Sequence, residues 1–224
     1  MRARTENPLK GRRVLLGVSG GIAAYKAVEV LRGLQQAGAE VRVMMTASAR
    51  RFVQPLTFEA LSHHRVHTEL FPEDGDPDVV HVMLGRWPDL VLVAPATANV
   101  VGKMANGLAD DVVTCAFLAG DAPVMVAPAM ETRMYRHPAV QRNLARLRET
   151  GVQIVDPEEG SWRPGGEAWD GWRPPSGSYR QPNRRWYGQT HSRAGGSWSR
   201  PAEPRRTSTR YGSSPTGQPA RWAT

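Results

Sequence analysis

The chain is expected to fold as a doubly wound α/β domain, Rossmann-like, with a parallel sheet. Three observations point there. Short, continuously apolar segments alternate with segments of helical periodicity. Pro and Gly punctuate the junctions. The apolar runs carry no polar alternation, as strands covered on both faces require.

Arg13–Gly17 reads as the first buried strand, followed by a glycine turn. From Ile22 to Ala37 apolar residues recur at helical spacing, and Gly38 is a helix stop. Val41–Met45 is a second strand, and Pro55–Leu61 a short helix. Leu90–Ala94 is a strand halted by Pro95; Asp111–Ala119 is helical. Val124–Ala127 is a strand halted by Pro128. Pro138–Glu149 is a helix with Pro at its start and Gly151 past its end, and Gln153–Val155 closes the pattern. Ligands of such sheets bind beyond the C-terminal strand ends. The loops that matter are therefore 17–22, 45–52, 94–99 and 127–135.

Composition divides the chain. Its 224 residues carry a formal charge of +8. Residues 1–160 hold 18 basic and 18 acidic side chains, whereas residues 161–224 hold 11 Arg and 3 acids. The second part contains no Leu, Ile, Val, Phe, Met, Lys or Cys, so it is expected to be disordered. The boundaries are 11–160 for a folded domain and 161–224 for the tail. No apolar run is long enough to span a membrane, and no signal-peptide core follows the basic start. The lone Cys115 makes no intrachain disulfide or CxxC metal site. A cytoplasmic protein with no metal site is expected.

Gly17-Val18-Ser19-Gly20-Gly21 joins the first strand to the first helix. Backbone N–H groups there, with the Ser19 hydroxyl, suit a phosphate; a tight turn without ligand is the alternative. Thr46 could donate to the same phosphate or cap a helix. Ala94-Pro95-Ala96-Thr97-Ala98-Asn99 is small enough for a planar ring to approach, or supplies an N-cap at Thr97 or Asn99. His81 could serve as acid or base, or be structural. His63, His64 and His67 read as surface residues.

Five ordered segments carry a family resemblance: GVSGGIAAYK (17–26), MTASARRFVQPLTFEALS (45–62), H-x-x-L-x-x-W-x-D (81–89), APATANVVGKMANGLADD (94–111) and PAMETRMY (128–135). Residues 11–160 resemble the flavin-dependent cysteine decarboxylases. The likeness is specifically to the decarboxylase half of bifunctional flavoproteins that join phosphopantothenoylcysteine decarboxylase to phosphopantothenate–cysteine ligase. The resemblance implies FMN, its phosphate held by Ser19, Gly20 and Gly21 near Thr46. Ala94, Pro95, Ala96, Thr97 and Asn99 would line the flavin. It implies His81 as the catalytic histidine, and Met130 and Glu131 at the substrate. The implied reaction turns 4′-phosphopantothenoylcysteine into 4′-phosphopantetheine, by flavin oxidation of the cysteine thiol that eases carboxylate loss. A homotrimer or higher homo-oligomer is implied, with no membrane and no specific nucleic acid as partner. Many relatives have Asn where this chain has Glu131, and a carboxylate there would repel the substrate's own. Competing readings are a flavin prenyltransferase, a peptidyl-cysteine decarboxylase, a non-catalytic FMN-binding protein, or a basic RNA-binding tail on an α/β domain.

The tail departs from the family, whose substrate flap follows the pattern L-A-S-G-x-x-G-x-G-R-M-A-x-P-E. Shifting the reading frame by one base restores much of it. The codons of Trp162, Pro164, Gly165 and Ala168 then permit Leu, Ser, Gly and Gly, and Trp169 followed by Asp170 forces Gly. Gly171, Trp172, Pro175 and Ser176 permit Arg, Met, Pro and Glu. Residues 197–224 permit a ligase-like opening in the same frame. A frameshift near Gly160 is expected, with loss of the flap impairing turnover.

Overall fold

A computed structural model describes residues 7–71 and 80–155, and the backbone of Gly160–Arg163 and Gly166–Ala168. Five parallel strands form one sheet: β1 (Arg13–Val18), β2 (Glu40–Met45), β3 (Leu90–Ala96), β4 (Val124–Pro128) and β5 (Gln153–Ile154), in the order β2-β1-β3-β4-β5. The doubly wound parallel fold is as expected. Its strand order reverses direction between β1 and β3, and sheets of this kind bind ligands at such a switch point, beyond the strands' C-terminal ends.

The helices divide between the faces. A 3-10 turn (Ile22–Tyr25) leads into α1 (Lys26–Gln36), which packs with α2 (Pro55–Ser62) over β2. On the other face, α3 (Val80–Arg86), α4 (Ala98–Asn106), α5 (Val112–Ala119) and α7 (Pro138–Glu149) cover the sheet; α6 (Thr132–Arg136) precedes α7. Strand side chains alternate between two dry layers. Leu15, Met44, Val91, Val93 and Val126 meet Leu84, Val113, Ala116 and Leu144 in one cluster. Burying each such aliphatic side chain contributes about 1.5–3 kcal/mol.

Pro95 does not halt β3. The strand runs on to Ala96 through a cis Ala94–Pro95 bond, with a register irregularity between Val93 and Ala96 against β4. Likewise β4 includes Pro128, which pairs with Ala96. Both prolines lie at strand ends, where the missing N–H costs little of the ladder. Helices α3, α4 and α6 have no counterpart among the elements expected from the sequence. Seven and five residues are too few for α3 and α6 to display a helical period. The small, polar start of α4 reads equally well as a loop.

Beyond β2 the sheet edge continues briefly. His67 pairs in parallel with Met44, its N–H donating to Val43 O and its C=O accepting from Met45 N. Gly160–Arg163 (β6) pairs antiparallel with Gly166–Ala168 (β7). Six of these seven residues fall in 161–224 and have strand backbone where no order is expected. A ladder needs only main-chain groups, which an aliphatic-poor segment still supplies. The remaining tail and its frame lie outside the described residues.

Candidate active site at the β1–β3 junction

Ser19 follows β1 and is fully buried. Its Oγ donates to Pro95 O at 2.7 Å and accepts from Thr97 N at 2.9 Å. Its own N–H donates to Pro95 O at 3.2 Å. The first and third strand ends are thus tied at the topological switch point. Thr97 in turn caps α4, its Oγ1 accepting from Val100 N.

Gly20 is required by close packing, since its φ is ordinary. A Cβ there would lie 2.7 Å from Ser48 O and against the rest of Ser48. The loops after β1 and β2 therefore touch through backbone. Gly21 is the extended N-cap of the 3-10 turn, which no side chain caps. Its first N–H groups are left for a ligand or for water. Thr46 is buried; its Oγ1 accepts from Ala49 N at 3.3 Å, so it caps the next turn. Among the described residues nothing accepts the Thr46 hydroxyl proton. Ala129 N donates to Ala96 O and draws the end of β4 to the same edge. Ala23, Lys26, Ala27, Val30, Ala94 and Pro95 line a small apolar recess behind it.

These atoms suit a phosphorylated planar cofactor. Uncapped amides and a free hydroxyl suit the anion, and Ala94, Pro95 and Ala96 present little bulk to a ring. The other expected residues are dispersed. Asn99 is exposed on the first turn of α4. Met130 is half-buried, and Glu131 is exposed as the N-cap of α6, its Oε2 accepting from Arg133 N at 2.8 Å and Met134 N at 3.2 Å. His81 lies in the first turn of α3; its Nδ1 is buried and has no hydrogen-bond partner among the described residues. Among the described residues no hydrogen bond joins His81 to the β1–β3 junction.

The residues that hold α3 were not singled out from the sequence, although the H-x-x-L-x-x-W-x-D pattern contains most of them. Leu84 is in the core. Trp87 stacks under the guanidiniums of Arg42 and Arg13, at 4.4 and 5.8 Å. Asp89 Oδ2 accepts from Arg13 N at 2.9 Å. Gly85 meets the backbone of Ala119 and Gly120 so closely that a Cβ would lie 2.8 Å from Ala119 C.

Four titratable groups elsewhere are perturbed, among them Asp110, which its hydrogen bond from Lys103 holds below the ordinary carboxylate value. Burial, then the charges of Arg42 and Arg65, push His67 below the ordinary histidine value. Lys103, hydrogen-bonded to Asp110 and Asp111 between α4 and α5, is pushed up. Burial, with the Asp111 and Asp110 charges, pushes the Cys115 thiol up.

The fold and this junction define a flavoprotein-like class. Residues 2–165 match the Flavoprotein family, and the chain belongs to it. It is 55% identical over 152 residues to the coenzyme A biosynthesis bifunctional protein CoaBC of Bacillus subtilis, covering 68% of this chain and 37% of that protein. Identity to the Escherichia coli K12 CoaBC is 46% over 153 residues, covering 68% and 38%. The chain thus spans well under half the length of these relatives. Among solved structures, the FMN-dependent cysteine decarboxylase SpaF is 41% identical, with a TM-score of 0.65, covering 68% of this chain and 87% of that one. A PPC decarboxylase mutant complexed with pantothenoylaminoethenethiol is 31% identical, with a TM-score of 0.64, covering 80% and 96%.

Proposed function

We propose that residues 11–160 form an FMN-binding domain that decarboxylates 4′-phosphopantothenoylcysteine to 4′-phosphopantetheine in coenzyme A biosynthesis. The observation that carries this reading is the β1–β3 junction, with its uncapped Gly21 turn beside the compact Ala94–Ala96 segment. Similarity to CoaBC and to FMN-dependent cysteine decarboxylases supports the same reaction.

In this reading the amides at Gly20 and Gly21 and the Thr46 hydroxyl hold the phosphate. Ala94, Pro95, Ala96, Thr97 and Asn99 border the ring, with Ser19 behind them. Bound FMN supplies two-electron chemistry at the cysteine thiol, which eases loss of the neighbouring carboxylate. His81 carries the proton; among the described residues its Nδ1 has no hydrogen-bond partner to compete. Met130 and Glu131 border the substrate carboxylate. The two amides on Glu131 Oε2 offset its negative charge and reduce the repulsion it would otherwise exert.

The site is proposed to lie beside a homo-oligomer interface, in a trimer or a higher assembly. Ile22, Tyr25, Phe52, Leu56 and Met134 expose large apolar side chains on the segments following β1, β2 and β4. A second copy covering them would also bring in a His81 that one copy does not connect to the junction. Among the described residues no helix is long and apolar enough to cross a membrane, and a cytoplasmic location is proposed.

Residues 161–224 are proposed to be an out-of-frame tail; the coding DNA around Gly160 decides it. Without the flap, substrate closure is impaired while FMN binding persists. The test of function is carbon dioxide release from phosphopantothenoylcysteine by the yellow, FMN-loaded protein. His81→Asn should abolish release and keep the colour. A colourless protein that gains no flavin on reconstitution contradicts the reading.

A further inference from the structure

We infer that Ser19 is a positioning residue for the segment Ala94–Thr97 and does not donate to the cofactor phosphate. This rests on the proposal that FMN binds at the β1–β3 junction. A serine hydroxyl has one proton. Here that proton points at Pro95 O, 2.7 Å away. The Thr97 hydroxyl at 3.4 Å is the weaker alternative acceptor, and it too belongs to the protein. One lone pair of Oγ is taken by Thr97 N at 2.9 Å. A phosphate oxygen only accepts, so it needs a donor that Ser19 no longer has. The side chain is 0% exposed, which removes water as a substitute partner.

Both of the short Oγ bonds end on the segment proposed to face the flavin ring. Removing the hydroxyl leaves the Thr97 N–H unpaired and Pro95 O with only the longer bond from Ser19 N, which loosens that segment. The phosphate side keeps the Gly20–Gly21 amides and Thr46. Ser19 therefore governs the ring end of the site, and Thr46 the phosphate end.

Riboflavin, which is FMN without its phosphate, separates the two roles. The experiment measures dissociation constants of both flavins by fluorescence quenching for the full chain, Ser19→Ala and Thr46→Val. Ser19→Ala should weaken both flavins by the same factor, roughly tenfold. Thr46→Val should weaken FMN alone. At saturating flavin, Ser19→Ala should also alter the visible circular dichroism of the bound ring, which a loss of global stability would leave unchanged. Weakening of FMN with riboflavin unaffected would overturn the inference, as would wild-type affinity for both with an unchanged spectrum. If Ser19→Ala fails to fold, Ser19→Cys, of similar size and with a weak donor, is judged by the same ratio and spectrum. If the unmodified chain binds neither flavin, the FMN reading itself fails, and this inference with it.

Discussion

Arg42 lays its guanidinium 4.4 Å from the centre of the Trp87 ring and donates to Met83 Sδ at 3.6 Å. Strand β2 thereby grips the last turn of α3 through a cation, a ring and a sulfur. Half-buried cation–π pairs contribute on the order of 1 kcal/mol. Arg42→Met, which keeps the stem and loses the charge, should lower the unfolding free energy by about that amount. Arg42→Lys should retain most of it. Urea denaturation of the two variants checks the difference; equal midpoints would show the charge to be irrelevant.

Gly20 and Ser48 make the second contact to probe. Gly20→Ala should destabilise by about 1–3 kcal/mol, because the obstruction cannot swing away. The crowded atoms include Ser48 C and O as well as Cβ. Adding Ser48→Gly should therefore fail to rescue thermal stability. Full rescue would mean that the side chain alone defines the contact.

Asp111 starts α5 with a reciprocal cap, accepting from Thr114 N while Thr114 Oγ1 accepts from Asp111 N. It also receives Lys103 Nζ at 3.2 Å. Asp111→Ala should cost roughly 0.5–2 kcal/mol from the cap. Asp110→Ala, at an exposed ion pair, should cost much less. Paired denaturation curves give the ranking, and a larger loss for Asp110→Ala would reverse it.

His67 makes stability depend on pH. Its folded-state value lies below the ordinary 6.5, so between those values the unfolded chain binds more protons than the folded one. Stability should therefore rise with pH across that window and fall as pH drops below 6.5. His67→Gln should flatten this slope in melting temperatures taken from pH 5 to 7. An unchanged slope would assign the titration elsewhere.

Cys115 should be a slow thiol. Its Sγ donates to Ala109 O at 3.2 Å, and burial beside two acids disfavours the thiolate. Alkylation by iodoacetamide should be far slower in the folded protein than in denaturant. Comparable rates in both would mean that the thiol is open.

The sheet was legible in the sequence because its strands are buried on both faces. Leu15, Leu16, Leu92 and Val93 need no pattern beyond being apolar. Helix α7 was equally plain, with Pro138 at its start and Gly151 at φ +90° beyond its end. The cap at Thr97 could be anticipated from its residue type, but α4 behind it could not. What the sequence withheld depends on atoms brought together from far along the chain. The partners of the Ser19 hydroxyl lie more than seventy residues away. The reason for Gly20 is the backbone of Ser48, which no local glycine pattern encodes. The Arg42–Trp87 pair joins a strand to a helix that was not itself expected.

The Ser19 tie also bears on how the crevice fills. The chain leaves β1 for one face of the sheet and β3 for the other, and a single buried hydroxyl fastens the two departures together. To part the seam at Ser19, three interior bonds would have to break, two at its hydroxyl and one at its N–H. On this side the seat for a ligand is therefore fastened from within the sheet, by chain ends that belong to its interior.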